Sequence, residues 1–370
     1  MTASLRFPAE WEPQSAVLIA WPHAGTDWAE RLAAVEDTYI ALVAAIVRFE
    51  PVLVCVADDA VEAHARARLV SARVDMARVR FVSAPYDDTW LRDSGPITLV
   101  AAGGPPASPS PPAEEKEPAQ PAAEAPRFHL LDFRFTGWGG KFDARRDDRL
   151  VERLQQAGIF IKSKRHSIDF ALEGGAIETD GAGTLLTTWR CLHERHPQTT
   201  RETLSNRLAG WLRQERVLWL DHGYLEGDDT DAHIDTLARF AATDAIVFQA
   251  CDDPADTHHA ELQAMAAELA ALRTRDGRPY RLFPLPWPRP IHDHGRRLAA
   301  SYANFLIVDG AVLMPAYGLT AEETRIDAAA AAVLADAFPG REIVPVPCRP
   351  LIWQNGSLHC LTMQLPAGLV

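Results

Sequence analysis

The stretch Val17-Leu-Ile-Ala-Trp21, followed by the helical-period segment Trp28 to Arg48 and then by Val52-Leu-Val-Cys-Val56, decides the fold class. Short runs of branched aliphatic residues read as buried strands, and the Ala/Leu/Glu/Arg pattern between them reads as an amphipathic helix. The segment therefore predicts strand, helix, strand, continued by a helix over Val61 to Ala77 and a strand over Val79 to Ser83. The same order recurs in Ile97 to Val100, Leu150 to Ala157 and Ile159 to Lys162, and in Thr184 to Thr188, Arg201 to Arg213 and Val217 to Leu220. It returns in Ile246 to Ala250, His259 to Thr274 and Tyr280 to Pro284, and in Val312 to Pro315, Ile326 to Phe338 and Ile343 to Val346. No stretch of identity links these units, so the repeat is one of structure. An α/β chain of five such units suggests radial closure. A doubly wound open sheet competes, but it expects an early Gly-rich phosphate turn, and Ala20-Trp-Pro-His-Ala-Gly25 is not one.

The 370 residues are 47% hydrophobic and 24% charged, enough for a substantial core in about two or three average domains or in one closed α/β domain. The net charge of -13 repels nucleic acid and anionic membranes and suits a small cationic partner. Cys55, Cys191, Cys251, Cys348 and Cys360 form no CxxC pair, which points to a reducing compartment. The first residues carry no basic head with an apolar run, and no stretch of about 18 apolar residues occurs, so a cytoplasmic protein without a membrane span is expected. Residues 101–126 hold 8 of the 27 prolines, several Glu and no aliphatic side chain larger than Ala. Such a segment cannot bury enough apolar surface to offset its ordering entropy, so a disordered insertion between two strands is expected.

Four stretches gather polar groups beside glycines and aromatics: Asp87 to Pro96, Leu172-Glu-Gly-Gly175, Gly227 to Thr236, and Asn355 to Gln364. His233 and Asp235 are two apart, and an extended chain would turn both to one face. A solvated acidic turn with an incidental His fits the same spacing. Asp228, Asp229, Asp231 and Asp235 resemble an oxygen-rich metal cluster, although the glycine and ligand positions of a calcium loop are absent. Asp93, before Ser-Gly-Pro, is a turn cap or a functional carboxylate, and Glu173, enclosed by apolar residues and glycines, needs a His or Arg partner if buried. Cys360 is an inert core thiol or a nucleophile.

Taken together, in this order and at these distances, the four stretches resemble the agmatine deiminase family, grouped with the bacterial-type peptidyl-arginine deiminases in the guanidine-modifying superfamily. Phe7-Pro-Ala-Glu-Trp-Glu-Pro13, Ala20-Trp-Pro-His23, Trp138-Gly-Gly140, Ser301-Tyr-Ala-Asn-Phe305 and His359-Cys-Leu-Thr-Met-Gln364 add to the resemblance, which spans nearly the whole chain. It implies a single catalytic domain over 1–370, folded as a five-bladed, pseudo-symmetric α/β propeller of the pentein kind, with the site on its axis and the insertion at 101–126.

The implied reaction is hydrolytic deimination of agmatine to N-carbamoylputrescine and ammonia, a step of polyamine metabolism, with no metal or organic cofactor. By the same resemblance Asp93 and Asp235 clamp the guanidinium, Cys360 attacks its carbon, His233 serves as acid and then base, and Glu173 orients His233. Trp90 matches a family position that packs along the methylene chain, with core packing as the alternative, and Asp229 is part of a solvated turn or a candidate for attracting the remote ammonium. The family's run of glycines before His-Cys is replaced by Trp353-Gln-Asn-Gly-Ser357, so bulk at Gln354 or Asn355 reshapes the pocket wall. Peptidyl-arginine or another guanidine is the alternative substrate, and amidino transfer to an amine an alternative reaction. A non-catalytic polyamine or guanidine binder is the alternative of another class. Nucleic acid and membranes are not expected partners, and a homo-oligomer is compatible with the sequence.

Overall fold

The computed structural model describes residues 4–101 and 127–370. Among them the strands form five sheets of three or four strands and one two-stranded ribbon. Each of the five sheets is built on a parallel pair of strands with helix between them. The pairs are Gln14–Ala20 with Val52–Val56, Phe128–Arg134 with Ser163–Ala171, Thr184–Thr188 with Arg216–Leu220, Ala245–Gln249 with Arg281–Leu285, and Ala311–Ala316 with Glu342–Pro347. The crossovers include the helices Leu32–Ile46, Leu150–Gln156, Arg201–Leu212, His259–Ala271 and Ala321–Ala337. This mixed α/β arrangement agrees with the alternation read from the sequence.

Several boundaries differ for identifiable reasons. The helix expected over Val61 to Ala77 spans Asp59–Ser71. It stops because Arg73 turns left-handed at φ 59° and Asp75 caps a separate short turn, Met76–Arg78. Ile159 to Lys162 is not a strand: Ile159 and Phe160 are buried, Ile161 is 76% exposed, and Ser163 donates back to the Phe160 carbonyl in a turn. The second strand of that unit is Ser163–Ala171, and its first is Phe128–Arg134 rather than Ile97 to Val100. The Pro/Ala/Glu-rich stretch falls outside the described residues except Ala101, which ends the strand Ile97–Ala101.

The first strand of every parallel pair also carries an antiparallel neighbour. These are Met363–Pro366, Ile97–Ala101, Ile177–Thr179, Ala238–Ala242 and Leu306–Val308, in the order of the pairs above. A tight turn precedes each of them: His359–Leu361, Leu91–Ser94, Gly174–Ala176, Ile234–Thr236 and the turn at Tyr302-Ala303. Leu91–Ser94 packs on Gly174–Ala176 and on His359–Leu361, and Gly174–Ala176 packs on Ile234–Thr236. The His359 N–H donates to Asn304 Oδ1 at 2.9 Å, joining the fifth turn to the group.

The core behind these turns is aliphatic and aromatic. Ile19, Trp21, Leu42, Val54, Ile307 and Leu313 belong to one fully buried cluster that also contains Cys360. Burying a side chain of this size contributes roughly 1.5–3 kcal/mol relative to leaving it exposed, which is how five thin sheets support a polar centre. Among the described residues no helix is long and apolar enough to cross a membrane.

Candidate active site

Asp93, Glu173, His233, Asp235 and Cys360 all lie on or beside those turns, and all are buried. His233 and Asp235 do not arrive there on an extended strand: His233 caps the turn Ile234–Thr236, and Asp235 sits inside it. Gly175 marks where the group converges. A β-carbon at this position would stand 2.6 Å from His233 Nδ1, 2.7 Å from Asp93 Oδ1 and 3.2 Å from Asp235 Oδ2. The glycine of Leu172-Glu-Gly-Gly175 is therefore demanded by close approach.

Asp93 is held by two donors, Trp138 Nε1 on Oδ2 and the Gly175 N–H on Oδ1, both at 2.9 Å. His233 Nδ1 lies 3.6 Å from Asp93 Oδ1, and His233 Nε2 lies 3.8 Å from Glu173 Oε2. These are ion-pair separations, and among the described residues both ring nitrogens, Glu173 Oε2 and Asp235 Oδ1 have no hydrogen-bond partner. Glu173 Oε1 accepts from Arg195 Nε at 2.7 Å, while Arg195 Nη1 reaches Asp231 at 2.6 Å. Cys360 Sγ lies 3.3 Å from Asn304 Nδ2 and 3.7 Å from Asp235 Oδ2.

Burial and charge act in opposite senses here. Burial pushes the Asp93 carboxyl up to about 6, against the opposing pull of His233 and with help from Asp235 and Glu173. Burial disfavours the imidazolium of His233, but Asp93, Cys191 and Glu173 outweigh it and raise the ring well above its ordinary value. Glu173 would also rise on burial, yet His233 and Arg195 hold it below the usual range. Burial, then Asp235 and Asp93, push the Cys360 thiol well above its ordinary value. Both shifts favour a neutral thiol beside an imidazolium form of His233.

Asp93 and Cys360 line a cavity of about 530 Å³, with Glu173, His233 and Asp235 one layer deeper. Trp90 forms part of its wall, and Gly356 lies so close beneath that a β-carbon there would stand 2.2 Å from the indole. Gln354 and Asn355 line the same cavity; Asn355 takes a left-handed φ of 72° and donates to Asp229 Oδ2 at 2.8 Å. Carboxylates dominate the lining, with Asp27, Asp87, Asp88, Asp147 and Asp229 facing the cavity and Lys141 the one cationic lining residue among those described. Lys141 is itself committed to Asp231 at 2.7 Å.

The acidic run from Asp228 to Asp235 does not assemble as a metal site. Asp228 accepts from the N–H groups of Thr230 and Ala232, Asp231 pairs with Arg195 and Lys141, and Asp235 faces His359. Among the described residues the one group with metal-ligand spacing is Glu173, Cys191 and His233, whose ligand atoms lie within 4.8 Å of one another. Arg195 already occupies Glu173, so a divalent cation there would meet a guanidinium.

A family model described as Porphyromonas-type peptidyl-arginine deiminase matches residues 6–366. The chain belongs to that family. Among curated relatives of this family member, the agmatine deiminase of Stutzerimonas stutzeri is 33% identical, the alignment covering 98% of this chain and 96% of the relative. The Pseudomonas aeruginosa agmatine deiminase is 32% identical over 98% and 95% of the two chains. Among solved structures, a cysteine-to-serine variant of the C. jejuni agmatine deiminase with substrate bound superposes with a TM-score of 0.83 at 30% identity, covering 99% of this chain and 98% of that one. An agmatine deiminase of Enterococcus faecalis gives a TM-score of 0.82 at 25% identity, over 98% and 96%.

Arg195, Asn304, His359 and Cys191 join this cluster without having been singled out for a role in the sequence. Asn304 and His359 stand inside motif stretches, Ser301 to Phe305 and His359 to Gln364, that signalled a site without saying what each residue does. Arg195 and Cys191 had no such signal: both belong to the helix Trp189–Arg195, where a buried Cys and a terminal Arg read as packing and a helix end.

Proposed function

We propose that this chain hydrolyses the guanidinium C–N bond of agmatine, yielding N-carbamoylputrescine and ammonia through a covalent adduct on Cys360. The observation that carries the reading is the convergence of two carboxylates, a raised-pKa His and a thiol at the inner end of an acid-lined cavity. A guanidinium is planar and permanently charged, and a pair of carboxylates fits its N–H groups. Asp93 and Asp235 take that role, with the unpartnered Oδ1 of Asp235 free to accept.

The arriving cation offsets the carboxylates that hold Cys360 as a thiol, so its proton passes to solvent through the cavity as substrate enters. The thiolate then forms a C–S bond to the guanidinium carbon. His233 gives its proton to the departing nitrogen, the C–N bond breaks and ammonia leaves. The neutral imidazole next takes one proton from water attacking the thiouronium carbon; the C–S bond then breaks, the adduct's hydroxyl proton passes to the departing sulfur, and the urea leaves with the Cys360 thiol and the His233 imidazolium restored. Glu173, anchored by Arg195, steadies the imidazolium form. Trp90 packs on the methylene chain, and Asp229, with the other carboxylates of the wall, attracts the far ammonium and repels the carboxylate of free arginine.

We further read the five sheets as blades about one axis in a single domain over 1–370, because each contributes one turn to the site. The five unpaired, buried cysteines support a reducing, cytoplasmic setting. One observation favours peptidyl-arginine as a second substrate: a cavity of about 530 Å³ is larger than so short a molecule as agmatine fills.

Ammonia release from agmatine, free arginine and an arginyl peptide, by the wild type and Cys360→Ala, tests the proposal. Agmatine turnover should fall by on the order of a thousandfold or more without the thiol. Equal rates in both proteins overturn the covalent route, and saturable binding without turnover in either supports a guanidine binder.

A further inference from the structure

His359, beside the nucleophile, is enclosed by carboxylates on both ring nitrogens. Nδ1 lies 2.8 Å from Asp235 Oδ2, and Nε2 lies 2.8 Å from Glu10 Oε2. All three residues are buried, and neither Glu10 nor His359 lines the substrate cavity. A neutral imidazole offers one N–H and one lone pair, and an ionised carboxylate only accepts. Two such contacts at hydrogen-bond length therefore require two protons in the chain Glu10–His359–Asp235. Either the ring is an imidazolium between two carboxylates, or a neutral ring receives a proton from one carboxyl; each arrangement carries one net negative charge.

The surroundings fix which end is anchored. Glu10 Oε2 accepts from Arg239 Nη2 at 2.9 Å, with Arg92 Nη2 at 3.6 Å, and Glu10 Oε1 accepts from the Ile307 N–H at 2.8 Å. Arg239 is also held by Glu178 at 2.8 Å. Asp235 has no such set: Oδ2 meets His359 and, at 3.7 Å, the Cys360 thiol, and among the described residues Oδ1 is left without a partner.

We infer that Glu10 and His359 are positioning residues, a rigid strut that grips one oxygen of Asp235 and so aims the other at the substrate guanidinium. This rests on the reading of Asp235 as a guanidinium clamp. The Phe7 to Pro13 stretch, remote in sequence from Cys360, thereby acquires a part in substrate recognition without touching substrate. His359 works twice, because its own backbone N–H and that of Cys360 share Asn304 Oδ1 at 2.9 and 3.4 Å.

The test compares Glu10→Gln with Glu178→Gln, since both remove one carboxylate from Arg239 but only Glu10 touches His359. The expected result is a kcat/KM for agmatine at least tenfold lower in Glu10→Gln, the order seen when a buried supporting hydrogen bond is removed, with Glu178→Gln within threefold of wild type. In protein labelled with 15N-histidine, a downfield, slowly exchanging proton on the Glu10 side of the His359 ring should be present in wild type and absent in Glu10→Gln. Equal losses in the two variants, or an unchanged Glu10→Gln, overturn the strut and leave a merely structural ion cluster. If wild type releases no ammonia from agmatine, the functional reading fails, and the His359 ring proton alone decides the strut. The same signal decides if Glu10→Gln does not fold, its absence from wild type refuting the inference.

Discussion

Replacing Gly175 by Ala adds one methyl group at the point where three functional side chains meet. Its β-carbon would lie 2.6 Å from His233 Nδ1 and 2.7 Å from Asp93 Oδ1, whereas ordinary contact begins at 3.4 Å. His233 and Asp93 must therefore each retreat by about 0.7–0.8 Å, and Asp93 is the less able to do so because Trp138 and the Gly175 N–H itself restrain it at 2.9 Å. Overpacking of this kind costs about 1–3 kcal/mol of stability. Displacing reacting groups by close to 1 Å costs about a hundredfold in rate, or roughly 2.7 kcal/mol of transition-state stabilisation. The assay is steady-state ammonia release from agmatine beside a thermal melt, with Gly210→Ala as control. Gly210 lies exposed within the helix Arg201–Leu212 with open space where its β-carbon would go. That change should raise stability by about 0.5–1 kcal/mol and leave turnover alone. A Gly175→Ala protein with kcat/KM within threefold of wild type would refute the reasoning, because the geometry would then not be the one catalysis uses.

Two further outcomes follow from buried carboxyls. Since burial raises Asp93 to about 6, kcat/KM for agmatine should fall as pH drops through that value and the carboxyl takes up a proton; in Asp93→Asn the remaining activity, lowered by a hundredfold or more, should lose this acid limb, as pH–rate profiles will tell. Glu50, raised to about 7 by burial, binds its proton more tightly folded than unfolded. Its contribution is therefore favourable below about pH 4.5 and is lost progressively as pH rises to about 7. Glu50→Gln should melt like wild type at pH 4 and be more stable at pH 8, by up to about 3 kcal/mol; an equal or lower melting temperature at pH 8 would count against the account.

Most of the parallel strands and their helices were legible because they are continuous apolar runs or clear helical periods, as at Val52–Val56 and Val79–Ser83, where expectation and strand coincide; Ser163–Ala171, a mostly polar strand, was not. The antiparallel strands were harder, since Ile177–Thr179 and Leu306–Val308 are three residues long and show no usable alternation. Ile159-Phe160 imitated a strand because burial in a turn and burial in a sheet demand the same residue types. At the site, Asp93, Glu173, His233, Asp235 and Cys360 stood out by motif and order, and the structure brings them together. Their supports did not: Arg195 reads as a helix end, Glu10 as part of a loop, and only long-range packing places either beside its partner.

The pairing of Met363–Pro366 with Gln14–Ala20 ties Cys360, the proposed nucleophile, to the order of synthesis. Cys360 sits on the turn that leads into the last strand of a sheet begun some 350 residues earlier. Asp93, Glu173, His233 and Asp235 emerge from the ribosome well before it, but they have no thiol to serve until that distant pairing forms. Loop closure over such a separation is slow relative to local helix formation, so the docking of one short strand is a late event that switches the whole centre on. On the proposed role of Cys360, a growing chain therefore holds no assembled reactive cysteine until that strand docks.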